Sequence, residues 1–399
     1  MEELPVQETK RGWGRVVLWV LLTPLLLFVL LMALLYVPPV QNIIRQKATE
    51  IASEATGMNI SVQRIDLRFP LNLLVRGVKV VQEPDTLLDL QSLSVRVQAW
   101  PLLKGQVEVD EVLLEDAVVN SANFIEGIHV QGNLGRFFLE SHGIDLSGEE
   151  IVLNEIELND TKVAVLMNDT TTAPPDSASA PLNWKINLHS LALNNVDVAL
   201  NMPLDSMRLS ARLGSAKVLN AKADLLKQHY ACQHFAMDKT ALTYDVGYAT
   251  PVAGFDPSHI ALRDIAIGID SLLFAGENLG AIIQKFSLNE RSGLSLVSVD
   301  GRLRADTSVV EVPQLRLRTA HSEMNLRAHT YWRMINMPTT GHLTARFDAR
   351  IGKQDIMLLA AELPNAFKEA YPEYPLVISA GTDGNLRQMQ LSRFEVDLP

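Results

Sequence analysis

The chain of 399 residues has a formal net charge of -11, with 47% hydrophobic and 20% charged residues. This balance is typical of an ordered protein, and the acidic charge without a basic, aromatic-rich patch argues against nucleic-acid binding. Cys232 is the only cysteine, which excludes an intrachain disulfide and a cysteine-rich metal site.

The first predicted element is a membrane-spanning helix at residues 16–37, an apolar run without charge. At ~1.5 Å per residue it is about 33 Å long, enough to cross the hydrocarbon core of a bilayer. It is too long for the apolar region of a signal peptide, and no cleavage site of small residues follows it. Lys10, Arg11 and Arg15 precede it, so the positive-inside rule predicts a cytoplasmic tail at residues 1–15 and places the bulk across the membrane.

A short amphipathic helix is predicted next, at residues 38–57, with Gly57 suited to end it. Its apolar residues fall on one helical face: Ile44, Ala48, Ile51, Ala52 and Ala55. We expect the helix to pack on the first strands or to plug the membrane-proximal end of a β structure. The sequence leaves both interpretations open.

Apolar and polar residues then alternate over most of the chain, which predicts strands with one apolar and one polar face. The alternation predicts two β segments, residues 58–167 and 184–352. Small polar residues and prolines predict a disordered linker loop between them, at residues 168–183. Short helices are predicted within residues 353–375. Residues 376–399 are expected to begin a further β segment of a longer protein.

A loose internal repeat interrupts the alternation. Residues 112–119, 156–165 and 191–200 each place paired apolar residues, then an Asp or Asn, then paired apolar residues again. The Asp or Asn position predicts a turn or a β-bulge. Because the spacing is uneven, we expect an irregular meander and not a solenoid of fixed period.

Motifs for catalysis and for metal binding are missing from the sequence. The histidines are scattered, and there is no HExxH motif, cysteine cluster, phosphate-binding loop or G-x-S-x-G elbow. We therefore predict that the protein is not an enzyme, with no catalytic residue, no cofactor and no bound metal.

The apolar face of the predicted sheet is thus the main functional question. Leaving a Val or Leu in water forgoes ~1.5–3 kcal/mol of burial, so the face needs a cover. Aromatic residues make up 6% of the chain, too few for the girdles of an outer-membrane barrel. Two alternatives stay open: packed sandwiches, or a sheet curled into a trough whose interior holds lipid chains.

The order of motifs closely resembles the start of AsmA-like proteins, in particular the TamB branch of that family. The matching segments are V-x-x-I-D-L at 62–67, V-x-G-V-x-V at 75–80, D-T-L-L-x-L-x-x-L-S-V at 85–95, W-x-L-L-x-G at 100–105 and V-x-L-x-x-A-x-V around 112–118. Segments at 255–274, 286–296 and 312–326 resemble later parts of the family, so the resemblance covers nearly the whole chain. The long C-terminal domain of the TamB branch is absent from these residues.

The resemblance implies an inner-membrane protein that projects a β-groove across the periplasm. Such proteins are linked to phospholipid transport and to the assembly of outer-membrane proteins. Their usual partner is an outer-membrane barrel of the Omp85 type, which this chain would contact only through a C-terminal part that it lacks.

We therefore expect a mainly β fold: an elongated, curled antiparallel β-sheet groove of about 20 strands, taco-like and of the AsmA/TamB type, after one transmembrane helix and a short amphipathic helix. The expected function is outer-membrane biogenesis, with phospholipid carried between inner and outer membranes along an apolar trough. The alternative is an assembly scaffold that binds outer-membrane or autotransporter clients by β-augmentation.

Ten apolar residues are expected to line this trough, while Arg96, Gln98, Glu108 and Asp110 face water on the other side. The ten are Leu93, Val95, Val97, Val107, Val109, Ile265, Ile267, Ile269, Leu343 and Phe347.

Overall fold

The computed structural model describes residues 36–69, 71–98, 101, 108–121, 127–145, 149–168, 183–359 and 364–397. The predicted tail at 1–15 and nearly all of the predicted span at 16–37 lie outside these residues. Among the helices that are described, none combines the length and the apolar character needed to cross a membrane.

Seventeen strands form one sheet. They are β1 (Asn59–Arg68), β2 (Asn72–Gln82), β3 (Asp85–Val97), β4 (Val109–Asn120), β5 (Ile128–Asp145), β6 (Glu150–Met167), β7 (Lys185–Met202), β8 (Met207–Asp224), β9 (His229–Val246), β10 (His259–Ala275), β11 (Asn278–Glu290), β12 (Ser295–Ala305), β13 (Val309–Thr319), β14 (Glu323–Tyr331), β15 (Leu343–Ile351), β16 (Leu376–Gly384) and β17 (Met389–Asp397). The helices are α1 (Pro38–Thr56), α2 (Trp332–Asn336), α3 (Lys353–Leu359) and α4 (Asn365–Ala370).

The sheet is long, curled and unclosed, and its strands follow one another in chain order. All described neighbours are antiparallel except β6 and β7, which are parallel. The prediction of a wholly antiparallel groove is therefore wrong at this pair. The connection at 168–184 explains the exception, since at ~3.5 Å per residue it is long enough to return along a whole strand. The two predicted β segments are consequently joined in one continuous sheet.

A line of left-handed residues crosses the first half of the sheet. Asp116, Asp160 and Asn195 have φ of 51°, 52° and 54°, and the register places them side by side with Gly135 between the first two. The internal repeat predicted a turn or a β-bulge at these Asp and Asn positions; the structure has a left-handed residue at each of the three, while the one-to-one register of the strands continues through them. Lys239 and Asp264, with φ of 52° and 53°, continue the line. We call this line the crease, because a left-handed residue interrupts the extended conformation of its strand.

The crease shifts the apolar alternation by one residue in every strand that it crosses. In β6 the apolar positions are Ile156 and Leu158 before Asp160, and Val163 and Val165 after it. Because neighbouring strands make the same shift at the same level, their apolar residues stay aligned on both sides of the crease.

Gly214 of β8 lies opposite the crease residue Lys239, and its missing side chain is a steric requirement. A Cβ added there would lie 2.7 Å from both the Cβ and the backbone O of Lys239. We expect Gly214→Ala to destabilise the fold by about 1–3 kcal/mol, because backbone atoms must move to relieve the overlap. Thermal unfolding of the purified full chain, followed by circular dichroism, measures the loss.

Gly268→Ala on β10 is the matched control, since its added Cβ would meet nothing closer than 3.9 Å. Equal melting temperatures for the two variants would contradict the steric role of Gly214.

Candidate functional site

One row of apolar residues crosses the entire sheet. It takes one residue from each strand, and each member is the registered partner of the next, so all lie on one face. From β1 to β17 the row is Leu67, Leu73, Val95, Val112, Leu139, Ile156, Leu191, Val218, Phe235, Ile269, Ile283, Gly301, Leu315, Leu326, Phe347, Ala380 and Phe394. No polar side chain interrupts it. We call it the apolar row, and the side of the sheet that carries it the apolar face.

The structure brings the trough residues expected from the sequence onto this face. Val95, Ile269 and Phe347 belong to the apolar row itself. Leu93 and Ile267 are joined by a second chain of registered partners that runs from β3 to β10. Val97, Ile265 and Leu343 lie on the same face because each is an even number of residues from one of these along its own strand. Val109 is the registered partner of Val97. Val107 lies outside the described residues.

No individual trough residue was predicted on the nine strands from β5 to β9 and from β11 to β14. Phe137 and Leu139 of β5 carry the same period-two signal and lie in register with Leu114 and Val112. Applying that signal to every strand would have found them.

Members of the apolar row are only partly covered. Sixteen of the seventeen are partly exposed, and Phe394 on the edge strand is largely exposed. In the described part of the chain, no large side chain is less than 2% exposed. The apolar face therefore does not interdigitate with a second layer, as it would in a packed sandwich.

A deeply buried part of the apolar face lies along the crease. Each residue that directly follows a crease residue is buried: Ala117, Thr161, Val196, Thr240 and Ile265 are 7%, 4%, 5%, 4% and 5% exposed. Burial of these side chains indicates that the sheet curls toward its apolar face, with the crease at the bottom. The result is a trough with an apolar lining.

The opposite face is polar and solvated. Arg96 and Glu111 form an ion pair at 3.0 Å on this face, and Arg316 and Asp300 form another at 2.9 Å. A hollow of about 650 Å³ on the same side has a mixed lining, with Lys162 and Arg212 beside Val118 and Ala164. Exposed ion pairs contribute little to stability, so their role is to keep this face in water.

Buried carboxylates lie at the ends of the strands and hold turns. The N–H groups of Val252 and Ser258 donate to Asp256, each at 3.0 Å, and the ring of His259 lies 3.0 Å from the same carboxylate. The bonds from Val252, Ser258 and His259 lower the pKa of Asp256 below its ordinary value, although burial acts in the opposite direction. Within the described ranges, no group of three or more His, Cys, Asp or Glu is arranged to hold a metal ion.

Comparison with known proteins adds no further assignment. No family model and no curated protein matches this chain. The resemblance to AsmA-like proteins stays an expectation from the sequence, and functional inference depends on the trough.

Proposed function

We propose that the protein carries phospholipid between the inner and outer membranes, with acyl chains lying along the trough. The observation that carries this proposal is the apolar row, which crosses all seventeen strands without a polar interruption and keeps part of every member exposed. A packed core would saturate its own apolar surface. A partly exposed lining leaves that surface for a mobile apolar guest.

The dimensions of the trough suit a carrier that works over a distance. Neighbouring strands lie ~4.8 Å apart, so the sixteen steps from β1 to β17 extend about 77 Å. Acyl chains need only a continuous apolar surface, without directional hydrogen bonds. A headgroup stays in water at the open side of the trough, so a dedicated headgroup pocket is unnecessary.

Photo-crosslinking tests the lipid proposal directly. A benzophenone amino acid at Val95 or Ile269, both in the apolar row, is expected to capture phospholipid in cells, because these side chains point into the trough. The matched controls are the adjacent polar-face positions Arg96 and Gly268, where no lipid capture is expected. Capture of protein alone at Val95 and Ile269, or of nothing by the folded chain, would exclude lipid carriage.

The proposed location is the inner membrane, with the trough in the periplasm. It follows from the apolar run at 16–37 and the basic residues before it. In a Ser179→Cys variant, the new thiol is expected to react with an impermeant maleimide once the outer membrane is permeabilised. Cys232 is buried and serves as the internal control in the unsubstituted chain. Protection of the new thiol until the inner membrane is lysed would reverse the proposed orientation.

A second candidate function is an assembly scaffold, and the edge strand β17 favours it. All nine residues of β17 are exposed, including Leu391 and Phe394 at 62% and 64%. An exposed strand edge with apolar side chains is a template for adding a strand of another protein.

The same crosslinker at Glu395, on β17, separates the two functions. A scaffold is expected to give specific outer-membrane client adducts at Glu395 and no lipid at Val95. A lipid carrier is expected to give the reverse. Client capture at Glu395 without lipid at Val95 would replace the first proposal by the second.

A further inference from the structure

Helix α1 docks on the sheet through polar side chains. The side-chain amide of Gln41 donates to the backbone O of Leu67 at 3.0 Å, and the guanidinium of Arg45 donates to that of Val62 at 2.8 Å. Near the other end of the helix, the N–H of Ile60 donates to the hydroxyl of Ser53 at 3.2 Å. These contacts place α1 antiparallel to β1, so that the helix covers the outer backbone edge of that strand.

The apolar residues of α1 lie on a different side from this docking line. Ile44, Ala48, Ile51 and Ala55 form a stripe about a quarter turn away, at 100° per residue. Ile44 and Ile51 are 39% and 63% exposed. Helix α1 lies on β1, yet four of the five residues expected to form its apolar face are exposed, and only Ala52 is partly buried. We call these four residues the apolar flank.

Stereochemistry decides which face of the sheet the apolar flank adjoins. The β1 residues whose backbone groups point to α1 are Ile60, Val62 and Leu67, and their side chains belong to the apolar face. For an L-residue, the strand direction and the direction of its carbonyl fix the side of the sheet on which its side chain stands. A right-handed helix antiparallel to β1 then places its apolar flank on that same side. The flank therefore continues the apolar face beyond β1.

The remaining side of α1 is charged. Lys47, Glu50 and Glu54 lie opposite the docking line and are exposed, with Lys47 and Glu50 paired at 2.6 Å. This side is suited to water or lipid headgroups and not to the acyl region. The apolar run at 16–37 ends where α1 begins, so the apolar flank lies between a predicted membrane span and the first strand of the trough.

We propose that the apolar flank of α1 is the loading end of the trough, over which an acyl chain passes between the bilayer and β1. The inference rests on the proposed lipid function and adds its point of access. Helix α1 then has two roles: its polar side seals the edge of the sheet, and its apolar flank extends the trough toward the membrane.

The test compares two isoleucines of nearly equal exposure on different sides of the helix. Ile51 of the apolar flank is 63% exposed, and Ile43, outside it, is 61% exposed. With the benzophenone at Val95 in the full chain in cells, Ile51→Asn is expected to lower phospholipid capture by about fivefold, as expected from partial loss of one apolar contact. Ile43→Asn is expected to leave capture within about twofold, because it does not adjoin the apolar face.

A second readout covers the possibility that Ile51→Asn impairs folding. The benzophenone placed at position 51 itself is expected to capture phospholipid, and at position 43 to capture much less. Three outcomes would overturn the role of the apolar flank. They are equal lipid capture at positions 51 and 43, capture of protein at position 51, and equal effects of the two Asn substitutions. Absence of lipid at Val95 in the unsubstituted chain would instead overturn the proposed function itself, so the two failures are distinguishable.

Discussion

The fold depends on one constraint: the described strands form a single sheet with an apolar face and without a second layer among them, so the sheet must cover that face by curling. Hydrogen bonds between strands fix the register, and the register aligns the apolar side chains from strand to strand. A slip of one residue anywhere would turn the remaining strand toward the wrong face. The unbroken apolar row shows that this alignment holds from Leu67 to Phe394.

The crease is where this constraint is hardest to meet. A left-handed residue in one strand would break the apolar face if its neighbours did not shift with it. Asp160 and Asn195 shift together, and the amide of Asn195 donates to the carboxylate of Asp160 at 2.6 Å. Short polar side chains suit such positions because they tolerate the left-handed conformation and bond locally. The same residues thus give curvature and keep the lining continuous.

How far the sequence predicts this structure varies between elements. Period-two alternation was sufficient to place Val95 and Phe347 on one face. The repeat around Asp160 marked an irregular backbone position, although it did not show that the register would continue unbroken through it. The parallel pairing of β6 and β7 could not be predicted from the sequence, because a long connection permits either strand direction. The side of α1 that docks on the sheet could not be predicted either. Periodicity identifies the apolar stripe, whereas Gln41 and Arg45 donate to backbone atoms that are presented only by the edge of a folded strand.

The covered edge of β1 also limits how copies of this chain can associate. A head-to-tail fibre would need β17 of one copy to pair with β1 of the next, and α1 occupies that edge. A helix that caps one edge therefore protects a long sheet with an apolar face from polymerisation without shortening the sheet.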